Sequence, residues 1–127
     1  MPFPVERIFI ERAETQLGRR LPRDYADRLS ASNGGEVAVA GDTWLLYPVF
    51  DDSDRKRIAR TCNHIILETQ NARGWAGFPP DALAIGTNGS GDKLVLLPEG
   101  ESFSGVVHWW DHETGLLHRA AESIVDL

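Results

Sequence analysis

Apolar residues recur at helical spacing in the first third of the chain and predict two helices. The first runs from about Val5 to Leu17, because Phe9, Ile10, Ala13 and Leu17 fall on one face. Gly18 follows it as a stop signal. The second begins near Leu21-Pro22, where proline suits the first helical position. Its inner face and its glycine-rich end are Tyr25, Ala26, Leu29 and Asn33-Gly34-Gly35.

Short runs of apolar and β-branched residues predict strands in the rest of the chain. Glu36 to Ala40 and Thr43 to Val49 flank the turn signal Gly41-Asp42 and form a predicted hairpin. Three further strands are separated by turn-rich connections: Leu83 to Gly86, Lys93 to Pro98 and Gly105 to Trp110.

Between these two groups of strands, the pattern predicts one long central helix. It begins after the acidic residues 51–54, which are suitable N-caps, and its apolar face extends to Ala72. Cys62 lies on that face, so we expect it to fill the core. A short last helix is expected from about Ala120 to Leu127. Helices followed by clustered strands indicate an α+β fold, with N-terminal helices and one long central helix packed on a largely antiparallel sheet.

Length and composition indicate one ordinary globular domain over residues 1–127. The chain is 42% hydrophobic and 25% charged, and its apolar runs are too short to cross a membrane. The N-terminus does not resemble a signal peptide. Cys62 is the single cysteine and has no intramolecular disulfide partner, which is typical of a reducing compartment. We therefore expect a cytoplasmic protein.

The net charge of −6 is unevenly distributed. Residues 1–35 carry six Lys/Arg and five Asp/Glu, whereas residues 36–127 carry seven and fourteen. Between Gly74 and His118 the only Lys/Arg is Lys93, against six acidic residues. Such a surface repels phosphate backbones, so direct nucleic-acid binding is not expected. It attracts a basic protein instead.

The order of several short motifs resembles the SUKH superfamily, specifically its Smi/Knr-type (cell-wall assembly regulator-like) members. The helical start signals and Asn33-Gly34-Gly35 resemble the opening of that family. Residues 84–92, Ala-Ile-Gly-Thr-Asn-Gly-Ser-Gly-Asp, resemble its "IG…GxGD" hairpin, and residues 107–113 resemble its final strand. The matches extend from Ile10 to about Ser123.

The resemblance implies an α+β fold and, for many bacterial members, an immunity protein that binds and neutralises a toxin, often a nuclease. Fungal relatives carry the domain between disordered arms in regulatory proteins. This sequence shows no such arms, so we expect the bacterial type. A regulatory or scaffold domain unrelated to toxins is the alternative. The family has no fixed catalytic set to transfer.

No arrangement of residues indicates a catalytic or cofactor site. Asn88-Gly89-Ser90-Gly91-Asp92 lacks the Gly-Lys-Ser/Thr ending of a phosphate loop and leads into a strand. His108, Asp111 and His112 are the candidates for a metal-dependent hydrolase, but two histidines near a strand end are a weak signal. The basic cluster at residues 55–60, which contains four Lys/Arg, follows an acidic run, so we expect ion pairs such as Asp52 with Lys56.

The adjacent residues Trp109 and Trp110 indicate an interface. Neighbouring strand residues point to opposite faces of a sheet, so one indole enters the core and the other meets a second layer, solvent or a partner. An exposed tryptophan surrounded by carboxylates is typical of an interface anchor. The predicted partner-binding residues are Trp75, Asp92, Glu99, Glu101, Trp109, Trp110, Asp111 and Glu113.

Overall fold

A six-stranded sheet organises the structure, a computed structural model that describes residues 2–127. Each strand pairs antiparallel with the next along the chain, which leaves the first and last strands as the edges. The predicted α+β class with a largely antiparallel sheet is confirmed. The strands are β1 (Gly35–Val39), β2 (Asp42–Leu46), β3 (Leu83–Thr87), β4 (Lys93–Glu99), β5 (Ser102–Trp110) and β6 (Leu117–Ala121).

Both predicted N-terminal helices are present, as α1 (Arg7–Leu17) and α2 (Arg23–Ala31). The predicted faces of both helices point inward, and α2 packs against α1 and β5. Gly18 ends α1 in the left-handed conformation, with φ of 74°, and donates a hydrogen bond to the Glu14 carbonyl. The β1–β2 hairpin turns at Ala40 and Gly41, both with positive φ.

The prediction of one long central helix is wrong, because the segment forms two short helices. These are α3 (Arg55–Arg60) and α4 (Ile65–Arg73). Asp54 caps α3 by accepting a hydrogen bond from the Arg57 amide at 2.8 Å. His64 provides a second cap inside the segment, because its Nδ1 accepts a bond from the Leu67 amide. Two caps within one apolar pattern divide it.

Two smaller predictions about this segment are also wrong. Cys62 lies in the turn between α3 and α4 and is exposed, so it does not fill the core. The predicted pair of Asp52 with Lys56 is absent from residues 2–127, because Asp52 pairs with Arg12 on α1 instead. The α3 helix has no buried residue at all, which explains why helical periodicity misplaced its face.

The predicted last helix is also wrong. Residues 117–121 instead form β6, which pairs with β5 and places Leu117 opposite Trp110. Only Ile124–Asp126 forms a single 3-10 turn, which Ser123 caps through its hydroxyl. Eight residues are too few for a stable isolated helix, so pairing with the neighbouring strand decides the conformation.

Two groups of apolar side chains form the core. The larger group packs the helices against one face of the sheet and contains Trp44, Leu94, Leu96 and Val107. A smaller group on the other face contains Ala82, Val95 and Trp110, with Phe78 and Leu97 packed against them. Among residues 2–127, no helix is long and apolar enough to cross a membrane.

Candidate protein-binding surface

The two adjacent tryptophans of β5 lie on opposite faces of the sheet, as the strand alternation predicts. Trp110 is 0% exposed and donates a hydrogen bond from its indole nitrogen to the Gly77 carbonyl at 3.1 Å. Trp109 is partly buried and makes an edge contact with the ring of Trp44, 5.9 Å between centroids. Trp110 therefore cannot contact a partner directly, because the segment after α4 covers its face.

Asp92, another predicted partner-binding residue, is buried beside Trp109. Its carboxylate accepts hydrogen bonds from the Trp109 indole nitrogen at 3.0 Å, from the His112 backbone amide at 3.1 Å, and from His112 Nδ1. Burial alone would raise the pKa of this carboxyl, but the bonds from His112 and Trp109 outweigh it, so the pKa lies below its ordinary value. Asp92 thus holds the structure together and is not available to a partner.

Trp75 is the exposed aromatic residue that the interface hypothesis requires. It is 50% exposed, in the connection after α4, and its ring meets the His112 ring edge-on with 5.6 Å between centroids. His112 lies in the turn between β5 and β6, where the neighbouring Leu116 is 58% exposed. We define the corner surface as Trp75, Asp111, His112, Glu113 and Leu116.

A close approach of two glycines joins the two segments of the corner surface. Gly77 and Gly115 both have positive φ, and a Cβ added to Gly77 would lie 3.5 Å from the Gly115 Cα. The connection after α4 and the β5–β6 turn therefore pack backbone to backbone. The positive φ is what favours glycine at both positions, because a Cβ at 3.5 Å would make only an ordinary van der Waals contact.

The predicted acidic residues do not form one surface. Asp111 and Glu113 belong to the corner surface, whereas Glu99 and Glu101 flank the β4–β5 turn at the opposite end of β5. A nine-residue strand is roughly 30 Å long. In the part of the chain that the structure describes, none of these four carboxylates forms an ion pair. We call Glu99 and Glu101 the distal pair.

Lys93, the only Lys/Arg between Gly74 and His118, does not neutralise the corner surface. Its ammonium group donates a hydrogen bond to the Tyr47 hydroxyl at 2.8 Å and is half-buried on the sheet. Burial lowers the pKa of Lys93, and the nearby Glu68 opposes that effect without cancelling it. The carboxylates at both ends of β5 therefore keep their charge uncompensated.

The structure brings together two of the three ligands that the metal hypothesis predicted, Asp111 and His112, but not His108. Asp92, Asp111 and His112 have ligand-type atoms within 4.8 Å of one another, and His108 is not among them. Hydrogen bonds explain this convergence, because Asp92 already accepts three of them. The Asp111 carboxylate likewise accepts a bond from the Glu113 amide at 2.9 Å.

An open groove of about 620 Å³ lies at the other end of the sheet, between the N-terminal segment, the β1–β2 strands and α3. Several charged groups there contact an opposite charge or an aromatic ring. Arg57 contacts Asp51 and Asp54, and the Phe3 ring receives the cationic groups of Arg57 and Arg60 at 4.5 and 4.6 Å. The two charged lining residues without an ion pair among the described residues, Glu36 and Arg60, have opposite charges, so this groove lacks the excess of one sign that the corner surface has.

Three contributors to the corner surface were not predicted from the sequence. They are His112, whose ring contacts Trp75, the exposed Leu116, and the contact between Gly77 and Gly115. Leu116 carried a usable signal, because an apolar residue stands in a segment otherwise typical of a turn. The glycine contact and the role of His112 had no signal, since their partners are 38 and 37 residues away.

Comparison with known protein families gives a match over nearly the whole chain. The sequence model of the SMI1 / KNR4 family (SUKH-1) matches residues 4–127, whereas no curated protein matches the chain. The match covers both N-terminal helices, all six strands and the corner surface. The chain therefore belongs to the SMI1 / KNR4 family (SUKH-1).

Proposed function

We propose that the protein is an immunity-type binding domain that neutralises a basic toxin domain, with the corner surface as its docking site. Domains of the SMI1 / KNR4 family bind partner proteins and are generally not enzymes. The observation that carries the proposal is the charge of the corner: Asp111 and Glu113 flank His112, whose ring contacts the half-exposed Trp75, and neither carboxylate forms an ion pair among residues 2–127.

The corner surface provides the two components of a protein interface. Trp75 and Leu116 supply apolar area that is desolvated on binding, and tryptophan is enriched among residues that dominate binding energy. The carboxylates accelerate the encounter with a positively charged partner and fix its orientation. Bound there, the domain would act by occlusion, with its carboxylates taking the place of substrate phosphates or covering the active site of a nuclease toxin.

The test is neutralisation of the toxin domain encoded beside the gene of this protein, with association rates measured at 50 and 300 mM salt. We expect a complex that abolishes toxin activity and whose association slows about tenfold at the higher salt. The variant Asp111→Asn/Glu113→Gln should slow association at low salt more than the matched variant Glu99→Gln/Glu101→Gln, which removes equal charge from the distal pair.

Two outcomes would contradict the proposal. The first is the absence of a complex with any neighbouring toxin. The second is a complex whose association rate is insensitive to salt and to both charge variants. A tight complex with a protein that is not toxic would favour the regulatory alternative instead.

A further inference from the structure

We infer that the corner surface binds one arginine side chain of the partner, stacked on the Trp75 indole and paired with the carboxylates of Asp111 and Glu113. This inference depends on the proposed function for its partner, but it makes a separate chemical statement. Aromatic faces beside carboxylates are the environment in which a guanidinium group is held by stacking and by charge at once.

No Lys or Arg side chain among the described residues covers the ring of Trp75. Six aromatic–cation contacts in residues 2–127 use phenylalanine rings and one uses Tyr47, but none uses Trp75. Arg73 is only two residues away along the chain, yet it does not cover the indole. Tryptophan is the aromatic side chain with the strongest attraction for cations, so an exposed and uncovered indole is a specific feature.

The two carboxylates of the corner surface lie on either side of His112, the residue whose ring contacts Trp75. One Asp111 oxygen accepts a bond from the Glu113 amide, which fixes this side chain in the turn and leaves its other oxygen without a hydrogen bond among the described residues. Glu113 is exposed and adjacent to the same turn. Two carboxylates that flank the residue in contact with the indole favour the planar fork of arginine over the compact ammonium group of lysine, because the fork donates several parallel hydrogen bonds.

A contact with His112 helps to fix the position of the Trp75 indole. His112 meets Trp75 edge-on, and the buried Asp92 holds His112 through its backbone amide and its Nδ1. A ring that is already immobilised loses little conformational freedom on binding, which increases affinity. His112 and Asp92 are therefore positioning residues, whereas Trp75, Asp111 and Glu113 contact the arginine.

The probe is a capped nonapeptide of glycine and serine with one central arginine, titrated into the isotopically labelled protein and followed by NMR. We expect shifts confined to the Trp75 indole and the backbone of residues 111–116. The same peptide with lysine should bind about fivefold more weakly. With citrulline, which keeps the shape and loses the charge, binding should be lost.

Variants separate stacking from general charge. Trp75→Leu should abolish binding of the arginine peptide and Trp75→Phe should weaken it, while far-UV circular dichroism confirms that both variants stay folded. Glu99→Gln/Glu101→Gln is the matched control for charge and should bind normally. Equal binding of the lysine peptide, unchanged binding by Trp75→Leu, or shifts centred on the distal pair would each overturn the inference.

The two proposals fail in different ways. If toxin neutralisation persists in Trp75→Leu with unchanged affinity, the arginine site is wrong and the immunity role stands. If the arginine peptide binds as expected but no neighbouring toxin is neutralised, the site stands and its assignment to a toxin partner is wrong.

Discussion

At the scale of single residues, a close contact within the sheet decides which amino acid can occupy position 86. Gly86 lies in the middle of the sheet, where a Cβ would come within 2.8 Å of the Leu45 carbonyl oxygen and 3.2 Å of a Leu46 methyl group. The obstructing oxygen belongs to the backbone of the neighbouring strand, so it cannot move without disturbing the pairing of β2 with β3. Gly89, three residues further, has no atom within 4 Å of the same position.

The change Gly86→Ala should therefore lower the free energy of unfolding by about 1–3 kcal/mol, as overpacking of a well-packed interior does. Urea denaturation followed by tryptophan fluorescence measures it. Gly89→Ala is the matched control and should change stability by less than about 0.5 kcal/mol. Equal effects of the two substitutions would show that the close approach at Gly86 has no energetic consequence.

At the scale of elements, one side chain joins segments that are distant in sequence. Asn33, at the end of α2, is buried, and its amide group donates to the Val49 carbonyl at 2.9 Å and accepts from the Val49 amide at 2.8 Å. The asparagine thereby imitates a strand partner for the segment that leads from β2 to α3. The sequence predicted Asn33 as part of a helix end, and the structure adds its two hydrogen bonds to Val49.

Asn33→Ala should lower the free energy of unfolding by about 2–4 kcal/mol, because it leaves two buried backbone groups of Val49 without hydrogen bonds. Chemical denaturation provides the measurement. The exposed Asn63, between α3 and α4, offers a matched control: Asn63→Ala should have an effect below about 0.5 kcal/mol. A small decrease in the free energy of unfolding for Asn33→Ala would mean that water replaces the two hydrogen bonds of the asparagine side chain.

On the scale of the whole molecule, charge is divided between a compensated and an uncompensated part. Arg7, Arg12 and Arg57 pair with acidic residues in the helical part, whereas between residues 74 and 118 the only such pair is Asp92 with His112. This division leaves the sheet half with the negative field that the proposed partner would meet.

The stability of the protein should fall between pH 7 and pH 5, in part because of His108. Burial lowers the pKa of His108, and the nearby Arg119 lowers it further. The unfolded chain therefore takes up a proton at a higher pH, near about 6.5, so acidification below that value favours unfolding until His108 is protonated in the folded state as well.

His108→Gln should reduce this pH dependence, as measured by urea denaturation at pH 5, 6 and 7. Part of it should remain, since burial also lowers the pKa of His64. The contribution of Asp92 belongs to a lower window: its pKa is depressed, so its stabilisation is lost only as the pH falls below about 4. An unchanged slope in His108→Gln would contradict the assignment to His108.

The sequence by itself determined the features that depend on near neighbours along the chain. Periodicity located α1 and α2 and their buried faces, and glycine-containing turns located the β1–β2 hairpin. Motif order identified the family, and residue counts revealed the acidic excess of the second half. These properties follow from local backbone preferences and composition, which long-range contacts do not change.

Only the tertiary structure decided the features in which distant segments compete. The caps at Asp54 and His64 divided the central helix, and pairing with β5 placed Ala120 and Ala121, the start of the predicted last helix, in β6. Covering of one sheet face buried Trp110 and left Trp75 exposed. One physical reason explains all of these features. Burial and strand pairing depend on contacts with segments that are distant in sequence, and the periodicity of a segment contains no information about those contacts.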